Sequence, residues 1–343
     1  MPAMPLPFRP NCQPTSLGPL PHTSAEAAWN TVLRHTPALP ALPLLAGAAE
    51  SPMALGYEAF PGVQQRATQV EVDRATALGA LDQLYAAYLR GSGTGQALTL
   101  QALPRAQAPD QTPYRRARML FGLVPGPLSL ALTLVDTQDE PLGDSVELID
   151  ALAKHLFLRR AWLQRALGRL GRPTAIWVYE PHWALLGSPF NPQPAEVWLD
   201  AASQTLQDAG PRALWIADLA TPEALLLLPP LDLIGAPLPA PAQAPALAPL
   251  VRQLLERQVA IGWGIVPASL EGLRQTSAGR LAARFDAWVR ALDEAGIAAH
   301  ALLGASLIMP EDTLDHLPPD AAERALALTA ELAAIIRHSY GVE

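Results

Sequence analysis

From Met119 to the C-terminus, short runs of apolar residues alternate with longer amphipathic segments, and this alternation constrains the fold more than any other feature. The apolar runs Met119–Val124, Ala175–Tyr179, Ala213–Ala217, Leu231–Gly235, Val259–Val266 and Ala301–Met309 read as buried strands. Between them, Asp144–Leu170, Pro194–Ala209, Pro222–Leu228 and Ala246–Arg257 read as helices. A further helix repeats Leu281, Phe285, Trp288, Val289 and Leu292, and a last one opens at Pro319-Asp320. Strands that are apolar throughout, separated by helices, indicate a parallel sheet covered by helices on its faces. Six strands are clear, and the first 105 residues have room for two more. Eight would close a (β/α)8 TIM barrel of parallel strands, which is the expected fold class.

The region before Met119 is read less directly. Residues 1–14 form a proline-rich arm, and residues 15–343 are expected to make a single barrel domain. A helix is expected from Thr23, with its hydroxyl and Glu26 in a capping box. Residues 37–63, punctuated by Pro and Gly, read as a connection over the barrel mouth. A second helix is expected from Gln64 to Leu89, and a short strand over Leu98–Leu103. The Gly-rich stretch Gly91 to Gly95 follows a helix rather than a strand, so it reads as a connector and not a phosphate cradle.

Composition excludes several functions. The net charge is −8 with no basic stripe, so nucleic acid is not an expected partner. Lys154 is the only lysine among 24 Lys and Arg residues and lies within a helical run, which removes the usual Schiff-base and Walker lysines. Cys12 is the only cysteine, so the chain forms no internal disulfide and no cysteine cage for a metal; it is expected as a free thiol on the loose arm. Two long uncharged runs are broken by proline: Met119–Val135 by Pro125 and Pro127, and Leu233–Val251 by five prolines. Neither is expected to span a membrane. No signal-like apolar segment opens the chain, and a cytoplasmic protein with a small-molecule partner is expected.

On a (β/α)8 barrel, function sits where the strands end and the loops converge. Residues expected there are His22, Glu180, His182, Trp183, Asp218, Trp263, Glu311 and Asp312. Glu180 either accepts a substrate ammonium or acts as general base, or it caps a helix or pairs with Arg172 or Arg212. His22 either reaches a ligand or pins its own turn; His182 is either an acid–base group or a solvated loop residue. Trp183 and Trp263 either wall the pocket or fill the barrel top. Asp218, Glu311 and Asp312 either join His22 or His182 in an oxygen-rich site for manganese or magnesium, or stand apart without metal. The other histidines (His35, His155, His300, His316 and His338) are expected at the surface.

Five segments, in this order, carry a resemblance: Gly18 to Thr23, Gly126-Pro127-Leu128-Ser129, Tyr179-Glu180-Pro181, Trp263 to Val266, and Ser306 to Pro310. As a set they resemble the uroporphyrinogen decarboxylase and cobalamin-independent methionine synthase superfamily, in its compact single-barrel methionine-synthase-like and corrinoid methyltransferase-like members. The resemblance covers nearly the whole chain. It implies a methyltransferase acting on an amino-acid-like or folate-like substrate, with Glu180 and His182 as the catalytic pair and the other mouth residues binding substrate. The family's methyltransferases hold zinc with a His-x-Cys pair and a late Cys, activating a substrate thiol. Aligned on this chain, those positions are Trp215-Ile216-Ala217 and Asp312, so the zinc-thiolate site is expected to be lost and no cofactor is assigned. The decarboxylase branch needs an early arginine cluster, and only Arg9 and Arg34 stand there. The alternative to a methyltransferase-like enzyme is a non-catalytic barrel that binds a ligand or a protein.

Overall fold

The computed structural model describes residues 6–47, 50–66, 69–91, 98–103, 114–207, 210–219 and 221–342. Seven parallel strands form one curled sheet: β1 (Gln13–Pro14), β4 (Leu120–Pro125), β6 (Thr174–Glu180), β7 (Arg212–Ile216), β8 (Leu233–Pro237), β9 (Ala260–Val266) and β10 (Ser306–Pro310). Their spatial order is β1-β10-β9-β8-β7-β6-β4. The two edges are joined by the segment around Pro40–Leu44. Leu44 bridges Pro19, beyond β1, while Ala41 bridges Phe121 of β4. Four backbone hydrogen bonds fix this seam: Leu20 N to Leu44 O at 2.9 Å, Leu44 N to Gly18 O at 3.2 Å, Leu42 N to Phe121 O at 2.7 Å and Phe121 N to Pro40 O at 3.0 Å. The fold is therefore a TIM-type barrel of parallel strands wrapped by helices, with residues 13–20 and 40–44 as its first two staves.

The seam explains a glycine. Gly18 has φ of +114°, and a Cβ there would lie 2.6 Å from the Leu42 carbonyl oxygen. Only glycine lets the two staves approach this closely in that backbone conformation.

Several expectations for the first 119 residues are corrected. The segment at 40–44 is a stave of the barrel rather than a loop over its mouth. Gln13–Pro14 already pair with Leu307 and Ile308 of β10, so the sheet begins inside the expected arm. Cys12 is not a loose thiol: it is fully buried, its amide donates to Ser306 O at 2.7 Å, and burial pushes its pKa up to about 12. The first helix, Ala25–His35, is capped by Ser24, whose hydroxyl accepts from Ala27 N at 3.4 Å, rather than by Thr23.

The expected helix from Gln64 begins instead as an antiparallel hairpin of β2 (Val63–Arg66) and β3 (Gln69–Val72), extended by β5 (Val135–Asp136). Asp73 then caps a short helix, Arg74–Gly79, by accepting from Ala75 N at 3.1 Å. Arg74 pairs with the buried Asp136 and ties the hairpin to β5. Leu98–Leu103 is no strand; its apolar residues are buried, and its Ala102 carbonyl accepts from Trp29 Nε1 at 2.9 Å. The Gly-rich connector from Ser92 to Gly95 and most of the polar loop before Tyr114 lie outside the described residues.

From Met119 onward the helices and strands follow the sequence pattern. The run Ala301–Met309 divides into a helix, Ala299–Ala305, and then β10. The long helix Val146–Gly168 opens on Ser145, which accepts from Leu148 N at 3.3 Å. It buries leucines at helical spacing against the sheet. It also buries His155, which was expected at the surface. His155 is fully enclosed beside Phe60, with ring centroids 5.4 Å apart. Desolvation, with the Arg159 charge adding to it, lowers its pKa to about 3.

Candidate functional site

Strand parity decides which side chains enter the barrel. In β6, Trp177 and Tyr179 share one face, while Ile176, Val178 and Glu180 share the other. Trp177 stacks on Phe121 at 5.7 Å and Tyr179 on Trp215 at 5.1 Å between centroids. A Cβ at Gly235 would lie 2.7 Å from the Trp215 ring, and one at Gly262 would lie 2.5 Å from Met309 Sδ. These rings and the methionine side chain fill the barrel axis, and the two glycines make room for them. Higher up, a Cβ at Gly264 would meet the Cα atoms of Glu311 at 2.7 Å and Pro237 at 3.1 Å. The strands close in at that level.

Glu180 lies on the opposite face from Tyr179 and turns away from the axis. It is fully buried. Its Oε1 accepts from Leu128 N and its Oε2 from Ser129 N, each at 2.9 Å. It therefore caps the helix Pro127–Thr133, whose first amides have no partner within the helix. Neither Arg172 nor Arg212 supplies the partner. Desolvation by burial pushes the carboxyl up to about 7, against the hydrogen bonds from Ser129 and Leu128. Ser129 continues the link, its hydroxyl accepting from His182 N at 3.1 Å. The Gly126–Ser129 and Glu180–His182 turns are thus one unit at the barrel mouth.

The other expected residues separate. His22 points back at its own helix, with Nε2 3.5 Å from Thr31 Oγ1, and desolvation lowers its pKa. Trp263 faces outward from the middle of β9. It packs edge-on against Trp288 of the helix Ala278–Glu294 at 5.6 Å, and its indole donates to Ser306 Oγ at 3.0 Å. It does not line the mouth. Trp183 is buried in the turn after β6, and its Nε1 has no partner. His182 is half-buried, with Nδ1 likewise unpartnered. Glu311 accepts from Ala268 N at 3.1 Å. The oxygen-rich metal cluster does not assemble: among the described residues no group of three His, Cys, Asp or Glu side chains could hold a metal ion.

Two features of the mouth go beyond the expected site residues. The first is a chain from the buried Trp215 and Tyr179 to the half-buried Asp312, itself an expected residue, in which the Tyr179 hydroxyl donates to Asp312 Oδ1 at 2.7 Å. Burial, reinforced by the Asp312 carboxylate, holds the phenol well above its ordinary range. The second is a cavity of about 720 Å³ at the C-terminal ends of β7 and β8, bordered by Asp218, Glu223 and Gln243 among apolar residues. Asp218 is the one expected site residue that lines it. Strand alternation would have found Tyr179 once Glu180 was placed on the outer face; nothing local in the sequence marks the cavity.

No family model matches the sequence, and no curated protein matches it. Among solved structures, the chain is similar to a B12-independent methionine synthase from Shewanella sp. W3-18-1, determined in complex with selenomethionine. The superposition covers 99% of this chain and 100% of that one, with a TM-score of 0.57 and 12% sequence identity. The fold is thus methionine-synthase-like over its whole length.

The zinc site implied by the family resemblance does not fit these residues. At the aligned positions, Trp215 contributes an indole packed against Tyr179, and Ala217 only a methyl group. Asp312 Oδ1 already accepts from both Tyr179 Oη and Thr313 N, each at 2.7 Å. One engaged carboxylate beside two side chains without donor lone pairs is no ligand set for zinc, which takes four ligands in structural sites and three protein ligands in catalytic ones.

Proposed function

We propose that the protein is a methionine-synthase-like member of the uroporphyrinogen decarboxylase and cobalamin-independent methionine synthase superfamily that binds a small molecule at its barrel mouth without zinc-thiolate methyl transfer. The observation that carries this reading is the Trp215–Tyr179–Asp312 chain. By the alignment that the resemblance implies, its Trp215 and Asp312 stand where imidazole and thiolate ligands would hold an ion, and neither supplies the soft donors that zinc activation of a thiol uses. Glu180 supports the same reading, because its two oxygens are spent on backbone amides and it is out of reach of a ligand on the axis. The cavity beside Asp218 lies within the size range of small-molecule sites, about 300–1,000 Å³. On this reading the protein is a cytoplasmic binding barrel.

The test is an assay for methionine formed from homocysteine with methyltetrahydrofolate or methylcobalamin as donor, with and without added zinc. No methionine above the protein-free background is expected. Turnover that a chelator abolishes would overturn the reading. A second reading, a metal-free enzyme, rests on the buried and unpartnered Nδ1 of His182. It would be favoured if His182→Gln abolished turnover of a substrate whose binding it left intact.

A further inference from the structure

Arginines far apart in the sequence meet at the N-terminal face of the barrel, the end opposite the mouth. Arg115, Arg116 and Arg118 lie in the loop that enters β4, and Arg172 in the loop that enters β6. Arg90 closes the helix Leu81–Leu89, while Arg165 and Arg169 close the helix Val146–Gly168. Backbone contacts join them into one patch. Arg165 Nη1 donates to Gly91 O at 3.5 Å, Arg172 Nη2 to Arg115 O at 3.3 Å, and Leu120 N to Pro173 O at 2.8 Å. Six of these arginines are exposed and Arg172 is half-buried. Among the described residues, no carboxylate pairs with any of them. A helix C-terminus accounts for Arg90, Arg165 and Arg169; the four loop arginines serve no helix end. Leu89, 83% exposed, stands beside Arg90. Glu256, Asp293 and Glu294, exposed acids at this same end, close helices that lead toward β9 and β10, on the far sector of the barrel.

We propose that this face docks the barrel on an anionic membrane surface, with the arginines among lipid phosphates and the Leu89 side chain in the headgroup layer. The partner follows from how the charge is laid out. Three chain segments (around Arg90, Arg115–Arg118 and Arg165–Arg172) stop at one level, so their guanidinium groups spread over a face. Each group has the fork of donors that suits phosphate oxygens. Patches of about 4–8 basic residues are the size that anionic lipids hold. No exposed aromatic ring stands among them for a nucleic-acid base to stack on, whereas an exposed leucine at the edge suits a lipid surface. The net charge of −8 does not oppose the contact, because carboxylates farther away than about 8 Å are screened at physiological salt. No described helix is long and apolar enough to cross a membrane, so the contact is peripheral and reversible. The acids on the far sector tilt the barrel, which brings the β4 and β6 side to the lipid and leaves the mouth open.

Vesicle flotation tests this with the full chain, using phosphatidylcholine alone or with about 30% phosphatidylglycerol, at about 0.15 M salt. The protein should float with the anionic vesicles, stay behind with the neutral ones, and be released at about 0.5 M salt. Combining Arg115→Gln, Arg116→Gln and Arg169→Gln should raise the Kd for anionic vesicles about tenfold or more, with unchanged far-UV circular dichroism. Arg257→Gln, Arg274→Gln and Arg290→Gln together change the net charge equally, away from the patch, and should leave the Kd within about twofold. Leu89→Ser should weaken binding about threefold. Absence from the anionic vesicles, equal flotation with neutral ones, or equal losses in the two triple variants would overturn the proposal. So would tighter binding of an oligouridylate than of the vesicles, lost in the Arg115, Arg116 and Arg169 variant, which would make the face a nucleic-acid surface instead. None of these measurements involves the mouth, so their failure and failure of the binding reading above are told apart.

Discussion

Replacing Gly126 by alanine tests the link between the mouth loops and the barrel. The φ of −90° at Gly126 suits any residue, so backbone strain does not enter. The new Cβ would lie 2.1 Å from Glu180 Cδ and Oε1 and 2.2 Å from Cγ, where carbon contacts ordinarily sit at about 3.5–4.0 Å. Glu180 is fully buried and has to leave the amides of Leu128 and Ser129. Each lost hydrogen bond to a charged acceptor costs about 1.5–3 kcal/mol, so Gly126→Ala should lose about 3–6 kcal/mol, a large part of the roughly 5–15 kcal/mol that holds a protein folded. The assay is urea unfolding followed by circular dichroism, run as a cycle with Glu180→Ala. With the carboxylate gone the new methyl group has space. The double variant should therefore fall within about 1 kcal/mol of Glu180→Ala alone, a strong departure from additivity. A loss below about 1 kcal/mol for Gly126→Ala, or additive behaviour of the pair, would refute this account of Glu180.

Gly264→Ala should be more damaging, because its Cβ meets the backbone of Glu311 and Pro237; overpacking of about 3 kcal/mol or more should appear as a fall in urea midpoint or in soluble yield. Tyr179→Phe removes the donor to Asp312 and should lower stability by about 1–2 kcal/mol, measured as the same midpoint shift with unchanged far-UV circular dichroism. The pH profile of stability should carry two opposed contributions. Glu180, raised from 4.5 to about 7, favours the fold most below pH 4.5 and loses that contribution as pH rises through 7. His155, lowered from 6.5 to about 3, contributes fully above pH 6.5 and loses its contribution as pH falls toward 3. Urea midpoints from pH 4 to 8 should show a steeper rise with pH in Glu180→Gln than in the wild type, and a flatter acid side in His155→Phe; parallel profiles would contradict both assignments.

The barrel from Met119 onward is legible in the sequence because strands buried on both faces must be apolar throughout and the helices between them need only one apolar stripe. The first two staves are not legible. Each is short and interrupted by proline (Pro14 and Pro19 in one, Pro40 and Pro43 in the other), and residues 40–44 join the sheet through only a few backbone hydrogen bonds at each edge. The hairpin at Val63–Val72 is hidden for a different reason. Its Gln64-Gln65-Arg66 run favours a helix locally, and pairing with β3, itself held by β5 from far along the chain, overrides that preference. At the site, the position of Glu180 at a strand end is readable but its orientation is not. Every residue of Thr174–Glu180 is buried, so no alternation of polar and apolar residues marks the inward face. The glycine at 126, which leaves room for the carboxylate, is the only local hint. The cavity near Asp218 depends on loops after β7 and β8 that meet only in the folded barrel.

On the proposed reading, Trp215, Ala217 and Asp312 stand where the resemblance implies a zinc-thiolate site. Elemental analysis of protein purified in excess zinc and then dialysed against buffer without chelator measures this. Well under one zinc per chain is expected, unchanged by Asp312→Asn. One tightly held zinc per chain, lost on substitution of Asp312, would contradict it.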